Sequence, residues 1–250
     1  VYPYILHSGH LLLPTFGVLA AVGLMVALTL SLRTAVTCGL NPEALWNAGL
    51  FTLLAAFALS RLLLVVANLS NFLHYPILLL MVPSLTSTGL LLTAIVTAIY
   101  LRLRHLPLLT TLDAWAAPAT LIWAFLALGH FAEGSDPGLP TTLPWGLAIP
   151  PDRAPRLHPI PLYAAIAAAL ITVALLRQLH RHHRPGTLAA AALAATGVAQ
   201  FVLTFVRQPN PYPVPLGNLL DPIQWIALGM ILTAGIILLL QPRKLAPHAV

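Results

Sequence analysis

Two arginines in this sequence stand in or beside long apolar runs, where a charge is costly. Arg61 lies inside one run, within residues 60–63, and Arg207 ends another, within residues 205–209. A guanidinium inside an apolar segment normally faces a partner or a water-filled cavity, and the alternative for Arg61 is snorkelling toward the nearby water boundary. Because the planar guanidinium fork matches phosphate oxygens, we expect Arg61 and Arg207 to converge on a phosphate group.

Histidine supplies the candidate proton-transfer groups. His130 and His158 flank a segment rich in proline and glycine, and Glu133 lies between them. An imidazole can take a proton from a thiol or a hydroxyl near neutral pH, so these residues are candidate acid–base groups. The alternative is that both histidines only donate and accept hydrogen bonds at a water–apolar boundary.

The composition indicates which solvent surrounds these groups. Hydrophobic residues make up 59% of the 250 residues and charged residues 7%, whereas a soluble domain carries about 25% charged residues. The chain is therefore predicted to lie in lipid, which excludes a cytosolic enzyme. The single cysteine, Cys38, excludes an intrachain disulfide and a thiolate metal cage. The net charge of +6 is spread too sparsely to bind nucleic acid.

Seven apolar runs have the length of about 20 residues that a helix needs to cross a bilayer. None shows the polar–apolar alternation of a membrane barrel strand. The predicted fold is an all-α integral membrane domain over residues 1–250, a bundle of seven transmembrane helices. The predicted spans are 11–32, 45–68, 76–101, 113–131, 160–177, 188–206 and 219–240.

The basic residues predict the orientation of these spans. If the spans alternate, one side of the membrane receives Arg33, Arg102, Arg104, Arg177, Arg181, Arg184, Arg243 and Lys244. The other side receives Arg153, Arg156 and Arg207. Because basic residues concentrate on the cytoplasmic side, we expect the amino terminus outside and the carboxyl terminus in the cytoplasm of a multi-pass inner-membrane protein. The run HRHHR at 180–184 is better explained as a cytoplasmic anchor attracted to anionic lipid than as a metal site.

The predicted outer segment 132–159 contains seven prolines and three glycines, so it cannot be regular helix. Trp145 and its apolar neighbours favour a folded extracytoplasmic cap over a simple linker.

At the other end of the fourth span, Asp113 is predicted to be the N-cap of that helix. The phosphate within reach of outer-leaflet arginines is a phospholipid headgroup.

An ordered set of motifs resembles the prolipoprotein diacylglyceryl transferase family. The opening of the fourth span, LDAWAAPA at 112–119, is similar to the family's opening of that span. A glycine-rich stretch at 129–146 resembles the family signature, ending in GLPTTLPWG. The remaining matches are RLHPIPLY at 156–163, FVRQPN at 205–210 and Gln224 in the last span.

The resemblance implies a seven-span inner-membrane enzyme that moves the diacylglyceryl group of phosphatidylglycerol onto the lipobox cysteine thiol of a prolipoprotein. It implies no metal and no organic cofactor. The catalytic residues are expected to be Arg207 and His158, which lie in matched motifs, and His130, a histidine that could act as a base although the family pattern has another residue there. The residues expected to bind substrate are Arg61, Arg207, Tyr163, Gln224, Gly134 and Gly138.

Several positions depart from the family pattern. In the first four spans, Phe16 stands in place of a tyrosine, Ser87 of a histidine and Ala127 of an arginine. In the glycine-rich stretch, His130 stands in place of an asparagine and Ser135 of a glutamate. Near the start of the fifth span, Pro161 stands in place of a glutamine and Ala164 of a glutamate. These departures leave a second class of function open, a non-catalytic paralogue that binds lipid or builds a membrane complex. A transporter is disfavoured, because Asp113 and Asp221 lie near span ends rather than at the bilayer midplane.

Overall fold

The computed structural model describes residues 4–8, 11–75, 86–148, 155–181, 183–209 and 219–241. In these ranges, the antiparallel strands β1 (Tyr4–Ser8) and β2 (Leu11–Pro14) precede eight helices. The helices are α1 (Thr15–Thr37), α2 (Pro42–Ala67), α3 (Leu69–His74), α4 (Ser87–Leu103), α5 (Leu108–Glu133), α6 (Ile160–Leu179), α7 (Thr187–Thr204) and α8 (Pro222–Leu239).

Six of the helices in the described ranges are long and apolar enough to cross a membrane: α1, α2, α5, α6, α7 and α8. Large apolar side chains point outward from them, as shown by Leu54 (67% exposed), Leu170 (66%) and Leu232 (67%). A soluble monomer rarely exposes contiguous apolar surface, whereas a helix in lipid does so along its whole length. The chain is therefore a multi-pass helical membrane protein.

The first helix differs at both ends from the predicted span 11–32. Residues 11–14 form β2 because Pro14 has no N–H and disfavours helical backbone at the residue before it. The helix then runs on to Thr37 and ends at Gly39, whose φ of +70° allows the N–H groups of Gly39 and Leu40 to reach the last carbonyls of the helix.

Two arginines outside the predicted spans, Arg33 and Arg102, lie inside helices, and Arg177, the last residue of a predicted span, is followed by more helix. Arg33 belongs to α1, Arg102 to the last turn of α4 and Arg177 to the last turn of α6. The physical reason is that long basic side chains extend toward water from a helix end, where they also complement the helix dipole. The helices α1, α4 and α6 therefore end two to five residues beyond the predicted spans.

The predicted third span, 76–101, is covered only in part. Residues 76–85 lie outside the described residues, and α4 has 17 residues, which is shorter than the six long helices. A seventh transmembrane helix therefore stays a prediction.

Asp113 caps a helix other than the predicted one. Because α5 begins at Leu108, Asp113 lies in its second turn and is not the N-cap of that helix. Its buried carboxylate accepts hydrogen bonds from Gly186 N–H (2.6 Å) and Ala189 N–H (2.8 Å) at the start of α7. The N-cap of α7 is Gly186, which has no side chain to offer, so Asp113 satisfies two of the free N–H groups of that helix.

The chain forms two compact units, one of residues 1–30 with 112–250 and one of residues 31–111. In the first unit, α7 packs against α6 and α8, and Thr120 and Thr172 join α5 to α6 through their hydroxyls (2.8 Å). In the second unit, α4 packs against α2 at Gly89, where a Cβ would lie only 2.2 Å from Ser60 Oγ. Only glycine allows this approach of the two helices.

Candidate functional site

The chain that leaves α7 pairs with the glycine-rich segment. Leu139 N–H donates to Val206 O (2.8 Å), and the side chain of Gln208 donates to Gly138 O (3.2 Å). Gly138 N–H donates to His158 O (2.9 Å). We call residues 134–148, 155–159 and 205–208 the loop cluster, because these hydrogen bonds join all three segments.

Gly138 lies at the centre of this pairing. A Cβ at this position would lie 2.6 Å from His158 Cβ and 2.7 Å from Val206 O. Because one of these contacts is a backbone atom, the clash cannot be relieved by a side-chain rotation. The glycine predicted to bind substrate therefore has a demonstrable role in bringing His158 close to the end of α7.

Arg207 is held in the loop cluster by an ion pair. Its Nη2 donates to Asp136 Oδ2 at 2.5 Å, and its side chain is 16% exposed. Its Nε is buried and has no hydrogen-bond partner among the described residues. Buried donors are nearly always satisfied, so this N–H is a candidate donor to a ligand oxygen.

Asp136 is a site residue that the sequence patterns do not single out. It adopts φ +59°, a left-handed conformation that aspartate tolerates, directly beside the glycine-rich segment. The available signal was its rarity, since the chain has only six acidic residues and this one falls between Gly134 and Gly138.

The hydroxyl of Tyr163, at the start of α6, connects two residues of the loop cluster, His158 and Trp145. Tyr163 Oη lies 3.3 Å from His158 Nδ1 and accepts a hydrogen bond from Trp145 Nε1 at 2.8 Å. When His158 Nδ1 donates to this hydroxyl, its Nε2 keeps the lone pair and can accept a proton. Trp145, Tyr163 and His158 thus form one hydrogen-bonded chain, which the sequence predicted only as separate residues.

His130 lies in a different local setting. Its Nδ1 lies 2.9 Å from Ser135 Oγ, and its ring centroid lies 4.8 Å from that of Phe16. All three residues stand where the family pattern has other types, so the replacements contact one another. His130 is exposed.

Two more predicted substrate-binding residues have structural contacts. Gln224 closes a capping box with Asp221 at the start of α8 and donates to Thr204 Oγ1 (3.0 Å), which ties α8 to the end of α7. Gly134 follows α5 with φ +74°, which ends that helix. Contact of either residue with substrate stays a prediction.

Arg61 belongs to the second compact unit. Its guanidinium lies over the ring of Phe72, 5.3 Å from the centroid, in a cation–π arrangement. The neighbouring Ser60 is fully buried against Gly89, so Arg61 lies next to the tight contact between α2 and α4. Convergence of Arg61 with Arg207 stays a prediction.

The sequence of the chain was compared with those of known protein families. The family model described as prolipoprotein diacylglyceryl transferase matches residues 3–240. The chain belongs to this family. The prolipoprotein diacylglyceryl transferase match covers the loop cluster and the start of α8, so Arg207, His158 and Gln224 all fall inside it.

The chain is also similar to proteins named phosphatidylglycerol–prolipoprotein diacylglyceryl transferase, three of which show the range of coverage. The Cereibacter sphaeroides protein (strain ATCC 17025) is 32% identical over 163 residues, 60% of this chain and 54% of the relative. The Idiomarina loihiensis protein is 31% identical over 124 residues, 49% and 46% of the two chains. The chain thus spans about half the length of these two relatives. The match to the Geobacter sulfurreducens protein is longer: it covers 95% of this chain and 92% of the relative, at 27% identity.

Proposed function

We propose that the protein is a phosphatidylglycerol–prolipoprotein diacylglyceryl transferase. The observation that carries the proposal is the arrangement around Arg207, whose guanidinium is fixed by Asp136 and keeps a buried Nε donor without a partner in the described residues. A fixed guanidinium with a free donor suits the phosphate of a leaving group. Family membership and the names of the relatives support the same reaction.

The transfer requires one bond to form and one to break. The lipobox cysteine sulfur attacks the carbon of the diacylated glycerol that is bonded to the phosphate oxygen. A C–S bond forms at this carbon, and its C–O bond to the phosphate breaks. Glycerol phosphate leaves with the electron pair, and the thiol proton passes through a base to the solvent or the leaving group. No oxidant, metal or cofactor takes part in this balance.

His158 is the proposed base, and Arg207 the group that holds the phosphate. His158 is supported by Tyr163, which orients its ring through Nδ1 and leaves Nε2 to accept the thiol proton. Phosphatidylglycerol and the lipobox segment of a prolipoprotein are the proposed substrates. Arg61, Tyr163, Gln224, Gly134 and Gly138 are proposed to complete the substrate site.

The test is an assay of the full-length protein in phosphatidylglycerol micelles with a lipobox peptide, followed by intact mass. We expect a peptide that gains one diacylglyceryl group, and a loss of rate of about 10²–10⁴-fold in His158→Ala. Arg207→Ala is expected to abolish transfer and Arg207→Lys to restore part of it. The matched controls are His180→Ala and Arg184→Ala, which should leave the rate unchanged. Both residues follow the carboxyl end of α6, whereas His158 lies just before its amino end. Transfer that persists in both site variants contradicts this assignment.

A second candidate function is supported by one observation. Ala127 and Ala164, where the family pattern has an arginine and a glutamate, lie in one buried apolar cluster with Leu203. A site that has lost both charges is suited to a non-catalytic paralogue that binds lipid. Unaltered peptide after long incubation at high protein concentration favours this candidate.

The membrane placement completes the proposal. We place the protein in the bacterial inner membrane with the loop cluster outside and the carboxyl terminus in the cytoplasm, as the distribution of basic residues indicates. The predicted extracytoplasmic cap, 132–159, is supported on both sides of residues 149–154, which lie outside the described residues: Thr141 and Leu147 pair with Arg156 and Leu157. Rapid proteolysis throughout this segment from the periplasmic side contradicts a folded cap.

A further inference from the structure

A pocket of about 390 Å³ lies at the end of α6. It is lined by Ala174, Arg177, Gln178, Arg181 and His183. The first four residues are spaced i, i+3, i+4 and i+7, so they share one face of the helix and of the turn that follows it.

The cations in this pocket are not neutralised by nearby carboxylates. Among the described residues, no acidic side chain lies within 4.0 Å of Arg177 or Arg181. Asp113 lies 3.8 Å from His183, but its two oxygens already accept the N–H groups that begin α7. His183 Nδ1 donates to Arg181 O (2.8 Å), which joins the turn that carries both residues.

An apolar stripe leads along α6 to this pocket. Ile166, Leu170 and Val173 are 52%, 66% and 45% exposed and continue the face that carries Arg177. We propose that Arg177 and Arg181 bind the phosphate of an anionic lipid whose acyl chains lie along this stripe. Two guanidinium groups supply the forked donors that phosphate oxygens accept.

This lipid site is separate from the loop cluster. The pocket adjoins the start of α7 and Arg207 follows the end of α7, and the 18 residues of that helix span about 27 Å. The inference therefore does not rest on the proposed transfer reaction.

The test counts the lipids that the full-length protein retains in native mass spectrometry. Dioleoyl phosphatidylglycerol is added to the wild type, to Arg177→Gln/Arg181→Gln and to Arg184→Gln, with dioleoyl phosphatidylcholine as the neutral comparison. Arg184 is exposed in the same loop but does not line the pocket, so Arg184→Gln controls for the loss of one positive charge outside the pocket. Binding at the loop cluster is the same in all three proteins, so differences between them report the pocket.

We expect the double variant to lose one retained phosphatidylglycerol, with affinity lower by about fivefold for each arginine removed, and Arg184→Gln to behave as the wild type. Arg177→Lys/Arg181→Lys should bind at an intermediate level, which keeps the test valid if the neutral variant misfolds. Displacement of the lipid by millimolar inorganic phosphate assigns the same two arginines to a soluble phosphate, and no displacement assigns them to the lipid. Equal retention in all three proteins, or an equal loss in Arg184→Gln, overturns the proposal.

Discussion

Ala127 of α5 and Ala164 of α6 are buried in the same apolar cluster, 4% and 5% exposed. The family pattern has an arginine at the first position and a glutamate at the second. This chain thus has two alanines where the pattern that it resembles has two opposite charges, and either charge alone would be buried there without a partner. Tyr163, which contacts His158, packs against this cluster.

Charges restored to this cluster should be tolerated only as a pair. Ala127→Arg alone leaves a buried guanidinium unpaired and is expected to lower the free energy of unfolding by about 3–5 kcal/mol. Ala127→Arg/Ala164→Glu should recover part of that loss and raise the transfer rate above that of the wild type. Thermal unfolding in detergent and the peptide assay measure the two effects. A double variant no more stable than Ala127→Arg shows that the two positions do not pair.

The Tyr163 hydroxyl should matter more to catalysis than to stability. Tyr163→Phe keeps the ring in the apolar cluster but removes the contact to His158, so we expect the transfer rate to fall about tenfold with the midpoint of unfolding nearly unchanged. Trp145→Phe, which removes only the donor to that hydroxyl, should have a smaller effect on the rate. An equal rate in wild type and Tyr163→Phe would show that His158 does not depend on this hydroxyl.

Gly138→Ala should disturb the loop cluster by steric overlap. The added Cβ meets His158 and the backbone of Val206, and we expect a cost of about 1–3 kcal/mol in the free energy of unfolding. Gly229→Ala is the matched control, because nothing lies within 4 Å of a Cβ at that helical position. The control should be neutral or stabilising by up to about 1 kcal/mol. Thermal unfolding of the two variants that gives the opposite order contradicts the pairing around Gly138.

Asp113→Ala should destabilise the start of α7. Two buried N–H groups lose their acceptor, and we expect a loss of about 1–3 kcal/mol in the free energy of unfolding. Asp113→Asn retains one acceptor oxygen and should lose less. Glu43→Ala removes an exposed carboxylate in the first turn of α2 and should change stability by less than about 0.5 kcal/mol. Chemical unfolding that ranks Glu43→Ala with Asp113→Ala refutes the capping role.

The sequence predicted the existence of the long helices better than it predicted their ends or their contacts. Apolar runs predicted the long helices because burial in lipid decides their existence, although helix ends such as Thr37 depend on Gly39 and on snorkelling side chains. The choice of Asp113 as a capping residue was chemically correct, but the helix that it caps is α7, whose N-cap Gly186 lies 73 residues from Asp113 in sequence. Sequence spacing carries no information about such a contact.

The candidate site shows the same limit. The motifs predicted His158, Tyr163 and Arg207 as separate residues, because each stands in a recognisable pattern. The links between them depend on Trp145, Asp136 and the close approach at Gly138, and these arise only when the three segments of the loop cluster pair. A lone aspartate in a turn has many local explanations, so Asp136 could not be assigned to Arg207 in advance.

The central claim is tested most directly by the ratio of the two reaction products. Purified protein is incubated with phosphatidylglycerol and a lipobox peptide, and both the thioether-linked peptide and the released glycerol phosphate are quantified by mass spectrometry. The transfer mechanism predicts that the two products form in a one-to-one ratio and that both disappear in Arg207→Ala. Glycerol phosphate without modified peptide, or neither product from a folded wild-type protein, would contradict the claim that this protein is a diacylglyceryl transferase.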